Sequence, residues 1–150
     1  MVQTITRRHV CFATIIEGNL ATRERSESAL FARLAAARIA VSMVAVNDVG
    51  CTFAVDEYDL DGLRAAVQEL NVALRLRTRC ARITVSRRGN VDRPLPSIGS
   101  VIAVMAEAGI GIIHLAVGTD DVSVLVDERD AVRTQAVLAQ CAVAMPRTAA

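Results

Sequence analysis

Two polar loops and one turn carry the residues whose types suit the binding of a charged small molecule. The candidate ligand-binding residues are Glu17, Gly18, Asn19, Asn47, Arg88, Asn90 and Asp92. A carboxylate such as that of Glu17 can bind an ammonium group, and free N–H groups at a helix start can bind a carboxylate. The loop 17–25 holds two glutamates and the loop 87–96 holds three arginines, which favours a ligand with ammonium and carboxylate ends.

The same residues also suit structural roles, and the sequence leaves both interpretations open. Glu17 is consistent with a solvated loop acid, and Gly18 suits a turn with positive φ. Asn47 and Asp48 have the chemistry of hairpin residues. For Asn90 and Asp92 the structural and the ligand-binding interpretations are balanced.

The remaining reactive residue types show no spacing that predicts catalysis. No combination of Ser, Cys and His indicates an activated nucleophile, and neither a metal motif nor a phosphate loop occurs, so we expect no cofactor. Asp56-Glu57 and Asp127-Glu128 stand beside predicted helix starts, where they favour the helix dipole. Four scattered cysteines without a C-x-x-C pattern are predicted to be small buried apolar residues: Cys11, Cys51, Cys80 and Cys141.

Composition excludes several classes of partner. The net charge is +1 and the chain has no Trp, one Tyr and three Phe, so it has neither the charge nor the stacking surface for nucleic acid. The charge also gives no attraction to anionic lipid, and no run of 18 apolar residues predicts a membrane span. We therefore expect a cytoplasmic protein that binds neither nucleic acid nor membrane.

The elements that position the loops occur twice in the chain. A shift of 71 residues aligns the halves without a gap from about Phe12 to Leu70, and Phe53–Asp59 then falls on Val124–Asp130. A repeat of this length is long enough to be a small domain, which indicates a tandem duplication.

Each copy has the pattern of an α+β, ferredoxin-like module with the order β-α-β-β-α-β. The sequence predicts one module at 8–77 and a second at 78–145, with antiparallel sheets and helices on one face. Only Ala142–Met145 remains for a last strand in the second copy. The alternating segment 2–6 is therefore predicted to complete that sheet.

Helix boundaries are predicted from capping residues. Ser26 and Ser97 stand where the first helix of each copy should begin, and Asp59 and Asp130 are placed to cap the second helices, Leu60–Leu70 and Ala131–Cys141. Gly109 is predicted to end its helix with a left-handed residue, and Arg38 takes that place in the first copy. Two apolar runs are predicted to be strands with both faces covered: Ile39–Val46 and Ile110–Val117.

The paired modules resemble the tandem ACT regulatory region of aspartokinases along almost the whole chain. Met105–Ile112 is similar to the family's "ALAEAGINI", and Val122–Asp130 to its "ISVLVDEDD". Cys51–Val55 followed by Asp59-Leu60 is similar to "ITFTVPRSDL". The kinase domain of that family is not seen, so the chain resembles the regulatory part alone.

The resemblance implies that the protein binds a free amino acid in a cleft between two ACT modules. In that family, the aspartate of a "DKPG" loop binds the ammonium group, and Glu17 falls at its position. Asn47 matches an asparagine that helps to hold the ligand, whereas Val46 stands where the family has glutamine. Gly89 and Pro94 keep part of the "GxGM…HPG" loop of the second module. In both loops additional residues replace the rest of the family pattern.

Three functions stay open at this level. The first is a noncatalytic regulatory protein that binds an amino acid or a related small acid, acts on a partner enzyme and forms a homodimer. The second is a diverged ACT-fold enzyme or small-acid-binding protein that uses the two lengthened polar loops, because loops on a stable scaffold are where new sites arise. The third is a dimerisation module without a ligand.

Overall fold

The computed structural model describes residues 3–16, 20–48, 50–70, 72–87 and 94–143. Short 3₁₀ helices lie at Glu57–Asp59 and Glu128–Asp130. In chain order, the strands and α-helices are β1 (Gln3–Ile16), α1 (Leu20–Ala36), β2 (Ser42–Asn47), β3 (Gly50–Asp56), α2 (Leu60–Gln68), β4 (Ala73–Ser86), α3 (Ile98–Glu107), β5 (His114–Val117), β6 (Asp121–Asp127) and α4 (Ala131–Val143).

The chain divides into two compact units. We call His9–Arg79 the first unit, and Met1–Arg8 together with Cys80–Ala150 the second unit. The strands have the hydrogen-bonded order β2-β3-β1-β4-β6-β5, and the pairs β1–β3, β2–β3, β4–β6 and β5–β6 are antiparallel. The α+β class with ferredoxin-like modules is therefore confirmed. The leading strand segment, residues 3–8, is part of the second unit.

Each unit has its own apolar core, built from alternate strand residues and one face of each helix. In the first unit Phe53 is fully buried and contacts Phe31 edge-to-face, with ring centroids 5.6 Å apart. Leu30 and Leu34 of α1 and Leu63 of α2 complete its centre. The corresponding core of the second unit contains Ile83, Val85, Val101, Met105, Val124 and Leu138. Aliphatic side chains thus provide most of the apolar burial in both units.

The long strands β1 and β4 are interrupted where the chain passes from one unit to the other. His9 and Arg79 have left-handed backbone, with φ of 55° and 57°. The alternation of burial breaks there, because Val10 and Cys11 are both buried, as are the equivalent residues of β4. The residue types at His9 and Arg79 do not predict left-handed backbone, so only the structure shows the interruption.

Strand register corrects the predicted repeat. Val10 pairs with Asp56, whereas Cys80 pairs with Asp127. The third strands are therefore equivalent at a shift of 71 residues but the first strands at a shift of 70. The gapless alignment from Phe12 is wrong in that strand, because the second copy has one additional residue between its first and third strands.

The helix ends agree in part with the predicted caps. The Ser97 hydroxyl accepts the N–H of Ser100 at 3.1 Å, which confirms this N-cap. Ser26 is not a cap, because α1 begins at Leu20 and contains it. Arg38 and Gly109 have φ of 58° and 66°, so the two left-handed helix ends are confirmed.

The second α-helices begin at Leu60 and Ala131 as predicted, but a 3₁₀ turn precedes each of them. Asp59 makes no side-chain capping bond, because a 3₁₀ turn precedes α2. In the second unit Asp127 accepts the N–H of Arg129 at 3.1 Å and starts the equivalent turn. Helix α4 extends to Val143, so the segment Ala142–Met145 does not begin as a strand.

Strands β2 and β5 are shorter than predicted and are not covered on both faces. They start at Ser42 and His114 and lie at the two ends of the strand order, so each has one neighbour among the described strands. The side chains of Val46 and Val117 are consequently 57% and 52% exposed. An apolar run can mark an edge strand as well as a buried one, and periodicity alone does not separate the two.

The two left-handed helix ends provide a test of backbone strain. Arg38→Gly should raise the free energy of unfolding by about 0.5–1 kcal/mol, because glycine has no Cβ penalty at positive φ. Gly109→Ala should lower it by about 1 kcal/mol, although no atom lies within 4 Å of the added Cβ. Denaturant titration measures both, with Ala32→Gly on the exposed face of α1 as the control. The control substitution should lower the free energy of unfolding. If Arg38→Gly also lowered it, the assignment of left-handed backbone to Arg38 would be contradicted.

Candidate ligand-binding site

One of the predicted ligand residues, Asn47, lies in the described part of the chain. Its side-chain Oδ1 accepts the N–H of Gly50 at 3.3 Å, and Asn47 itself is exposed. This bond closes the β2–β3 hairpin, so Asn47 has the turn role that its type suggested. The other predicted residues lie outside the described residues: Glu17, Gly18, Asn19, Arg88, Asn90 and Asp92.

The first unit nevertheless fixes both ends of the loop that contains Glu17. Ile16, the last residue of β1, pairs with Gly50 in the hairpin that Asn47 closes. Helix α1 begins at Leu20, only four positions after Ile16. The end of β1 therefore lies beside the hairpin turn, and the first N–H groups of α1, which begins shortly afterwards in the chain, have no partner within the helix.

Gly50 is required at this position because the backbones approach closely. A Cβ atom there would lie 2.0 Å from the carbonyl oxygen of Ile15. No side chain fits such a gap, so the hairpin and the end of β1 are held in tight contact. In the sequence, the only sign of this close backbone approach is the glycine of the Asn-Asp-Val-Gly turn.

The second unit repeats this arrangement with different side chains. Ser86 pairs with Asp121, so the loop after β4 starts beside the β5–β6 turn. The loop returns through Leu95, which packs on the core, to the N-cap Ser97 of α3. The Ser97 and Ser100 hydroxyls are 2.9 Å apart at this helix start.

The sequence groups Arg87 with the arginines of the second loop, but in the structure its side chain binds the neighbouring β5–β6 turn. Its Nε donates to Oδ1 of Asp120 at 3.1 Å, and a guanidinium nitrogen donates to the carbonyl of Thr119 at 3.1 Å. Its backbone N–H also donates to the carbonyl of Asp120 at 3.0 Å. Arg87 thus closes the turn, and sequence reasoning missed Asp120 as its partner because the two are 33 positions apart.

The carboxylate pair of the first unit has a structural role at the strand interruption. Oε1 of Glu57 accepts the N–H of Arg79 at 2.5 Å, and its Oε2 lies 3.9 Å from Nδ1 of His9. The ring of His9 also meets the ring of Tyr58 edge-on at 6.5 Å. Glu57 therefore joins His9 and Arg79, the left-handed residues of the two long strands, and no sequence motif indicates this contact.

The remaining titratable candidates are structural in the described residues. All four cysteines are free thiols in buried positions, which confirms the prediction, and burial raises the pKa of Cys141. Burial lowers the pKa of His114 in β5. Within the described ranges, no group of three His, Cys, Asp or Glu side chains could hold a metal ion. No helix in this part of the chain has the length and apolar character needed to cross a membrane.

No protein-family model matches the chain, and no curated protein matches it significantly. Solved structures do match. The chain superposes on a structure of aspartokinase alpha and beta subunits with a TM-score of 0.75 and 16% identity, covering 94% of this chain and 98% of that one. The regulatory subunit of aspartate kinase from Thermus thermophilus, in its ligand-free form, gives a TM-score of 0.71 and 18% identity over 92% and 95% of the two chains.

This chain has the fold of the aspartokinase regulatory region. The resemblance in sequence is thereby confirmed as a likeness of fold. A third structure, E. coli aspartokinase III in complex with lysine and aspartate, gives a TM-score of 0.66 at 19% identity. There the match covers 92% of this chain and 31% of the E. coli chain.

The Arg87 contacts predict a measurable loss of order in the β5–β6 turn. Arg87→Gln should lower the free energy of unfolding by about 0.5–1 kcal/mol, because it removes a half-exposed ion pair and a bond to the Thr119 carbonyl. Hydrogen exchange of the Gly118 amide, which bonds the Asp121 carbonyl at 2.8 Å, should accelerate. Arg129→Gln, whose side chain is 82% exposed, is the matched control. Equal effects of the two substitutions would contradict the assigned role of Arg87.

Proposed function

We propose that this protein is a noncatalytic regulatory protein of the aspartokinase type, which binds a free amino acid through its ACT modules. The modules are those at 8–77 and 78–145, the latter completed by the strand at 2–6. The main support is that β1, the strand before Glu17, ends beside the Asn47 turn, and that α1 begins at Leu20, three positions after Glu17. The likeness in fold to a regulatory subunit and to a lysine-bound aspartokinase adds to it.

In the first unit, the proposed roles follow from charge. The Glu17 carboxylate binds the ammonium group of the amino acid, and the free N–H groups at the start of α1 bind its carboxylate. Gly18 and Asn19 shape the loop between these two groups, and the exposed Asn47 stands in the adjacent turn. In the second unit Arg88, Asn90 and Asp92 occupy the equivalent loop, where α3 provides the helix start.

The proposed ammonium partner can be tested by calorimetry. Among free amino acids that include lysine and threonine, one should bind, and Glu17→Gln should weaken its binding by about 10- to 100-fold, because a charged hydrogen-bonding partner is lost. Asp61→Asn removes an exposed carboxylate from the first turn of α2, outside the proposed site, so this matched control should leave the affinity unchanged. Binding that survives Glu17→Gln would place the ligand elsewhere, and the absence of any binding amino acid would refute the function.

We further propose that the protein forms a homodimer through its edge strands and acts on a partner enzyme. The outer strands β2 and β5 present exposed apolar side chains, including Val44 and Val46, which are 48% and 57% exposed. Edge strands with apolar side chains are templates for pairing with another chain. A second copy is the simplest partner for such an edge.

Light scattering tests the dimer. We expect a mass of two chains at micromolar concentration, and Val46→Lys should shift the protein toward 16.0 kDa monomers by placing a charge on the edge strand. Val132→Lys, at a position that is 68% exposed on α4, is the control and should leave the mass unchanged. A monomer in the unmodified protein would refute the homodimer.

A further inference from the structure

The first unit contains a pocket that is separate from the polar loops. It has a volume of about 340 Å³ and lies between the last turn of α2 and the start of β4. This volume is at the lower end of the range of small-molecule sites, roughly 300–1,000 Å³. Its lining consists of Arg64, Val67, Gln68, Leu70, Val72 and Leu74.

The floor of the pocket is apolar and continuous with the core of the first unit. Val67 is buried, and Leu70, Val72 and Leu74 are partly buried residues that pack against the same core cluster. The chain turn that forms the pocket is fixed by two hydrogen bonds, from the Leu70 N–H to the Val67 carbonyl and from the Val72 N–H to the Leu70 carbonyl, each 2.8 Å. An aliphatic group that enters the pocket would therefore meet a preformed surface.

The rim of the pocket carries a cation and an amide. Arg64 and Gln68 are four positions apart on α2 and so lie on the same side of the helix. Both are exposed, and neither side chain forms a hydrogen bond or ion pair with another described residue. Their side chains carry N–H donors of the types that bind a carboxylate.

Arg64 is not needed to stabilise the carboxyl end of α2. Arg33 of α1 already performs that role, since its guanidinium donates to the Ala66 carbonyl at 3.3 Å and lies 2.8 Å from the Glu69 carboxylate. Among the described residues that line the pocket, none is acidic. A bound anion would thus find a cation in this lining, whereas a bound ammonium group would find no carboxylate.

We infer that this pocket is a binding site for a small aliphatic carboxylic acid without an amino group. The carboxylate binds Arg64 and Gln68, and the alkyl chain lies on Val67, Leu70, Val72 and Leu74. The described lining has no acidic side chain to bind an ammonium group, so the pocket selects against α-amino acids. This distinguishes it from the site proposed at the Glu17 loop. The chain therefore carries a second site of different specificity within the first unit.

Methyl NMR of the full chain with 4-methylpentanoate as the probe tests the site directly. The methyl signals of Val67, Leu70, Val72 and Leu74 should shift on titration to millimolar concentration. Leucine, which adds an ammonium group to the same skeleton, and 4-methylpentan-1-ol, which lacks the carboxylate, should each bind about tenfold more weakly or less. Unshifted methyl signals, or leucine binding here as tightly as the acid, would overturn the inference.

Substitution at the rim provides the second test. Arg64→Gln should weaken 4-methylpentanoate binding about tenfold, because it removes the charged partner of the carboxylate while keeping two N–H donors. Arg75→Gln, an exposed cation of β4 that does not line the pocket, is the matched control and should leave the affinity unchanged. Equal losses in the two variants would show nonspecific attraction of anions and would overturn the assignment.

Discussion

The left-handed backbone of His9 and Arg79 is the constraint on which the two units depend. It interrupts the long strands β1 and β4 where each passes from one unit to the other. Outside glycine, such backbone costs about 1–2 kcal/mol per residue, so neighbouring contacts must stabilise it. Glu57 provides one of them, because its carboxylate accepts the Arg79 N–H and approaches His9.

The chain passes between the units at these two residues, so the first unit, His9–Arg79, is contiguous in sequence whereas the second unit is not. The segment 3–8 joins a unit that otherwise starts at Cys80, and there Arg8 lies 4.0 Å from Glu128 while Thr6 hydrogen-bonds Gln135 at 3.0 Å. A strand left without this pairing would expose unsatisfied backbone groups. The duplication is therefore visible in sequence, but the second unit also includes a strand segment from outside its own repeat.

The two proposed ligand loops have equivalent places in the two units. In each unit the first strand ends against the hairpin of the next two strands, through Ile16 with Gly50 and Ser86 with Asp121. The following loop then leads directly into a helix start. The adjacent turns are closed by different side chains, by Arg87 with Asp120 in one unit and by Asn47 in the other. The pocket beside Arg64 lies in a different part of the first unit, between the end of α2 and the start of β4.

The sequence by itself determined the class of fold, the duplicated order of elements, the left-handed helix ends at Arg38 and Gly109, the Ser97 cap and the buried cysteines. These features depend on local chemistry and on apolar periodicity, both of which are present in neighbouring residues. The tertiary structure alone decided the strand interruption at His9, the role of Glu57, the partner of Arg87 and the exposure of the edge strands. It also decided the start of α1 at Leu20 rather than after Ser26. The role of Glu57, the partner of Arg87 and the edge position of β2 and β5 depend on residues distant in sequence, and pairing across such distances follows from packing and register rather than from local propensity.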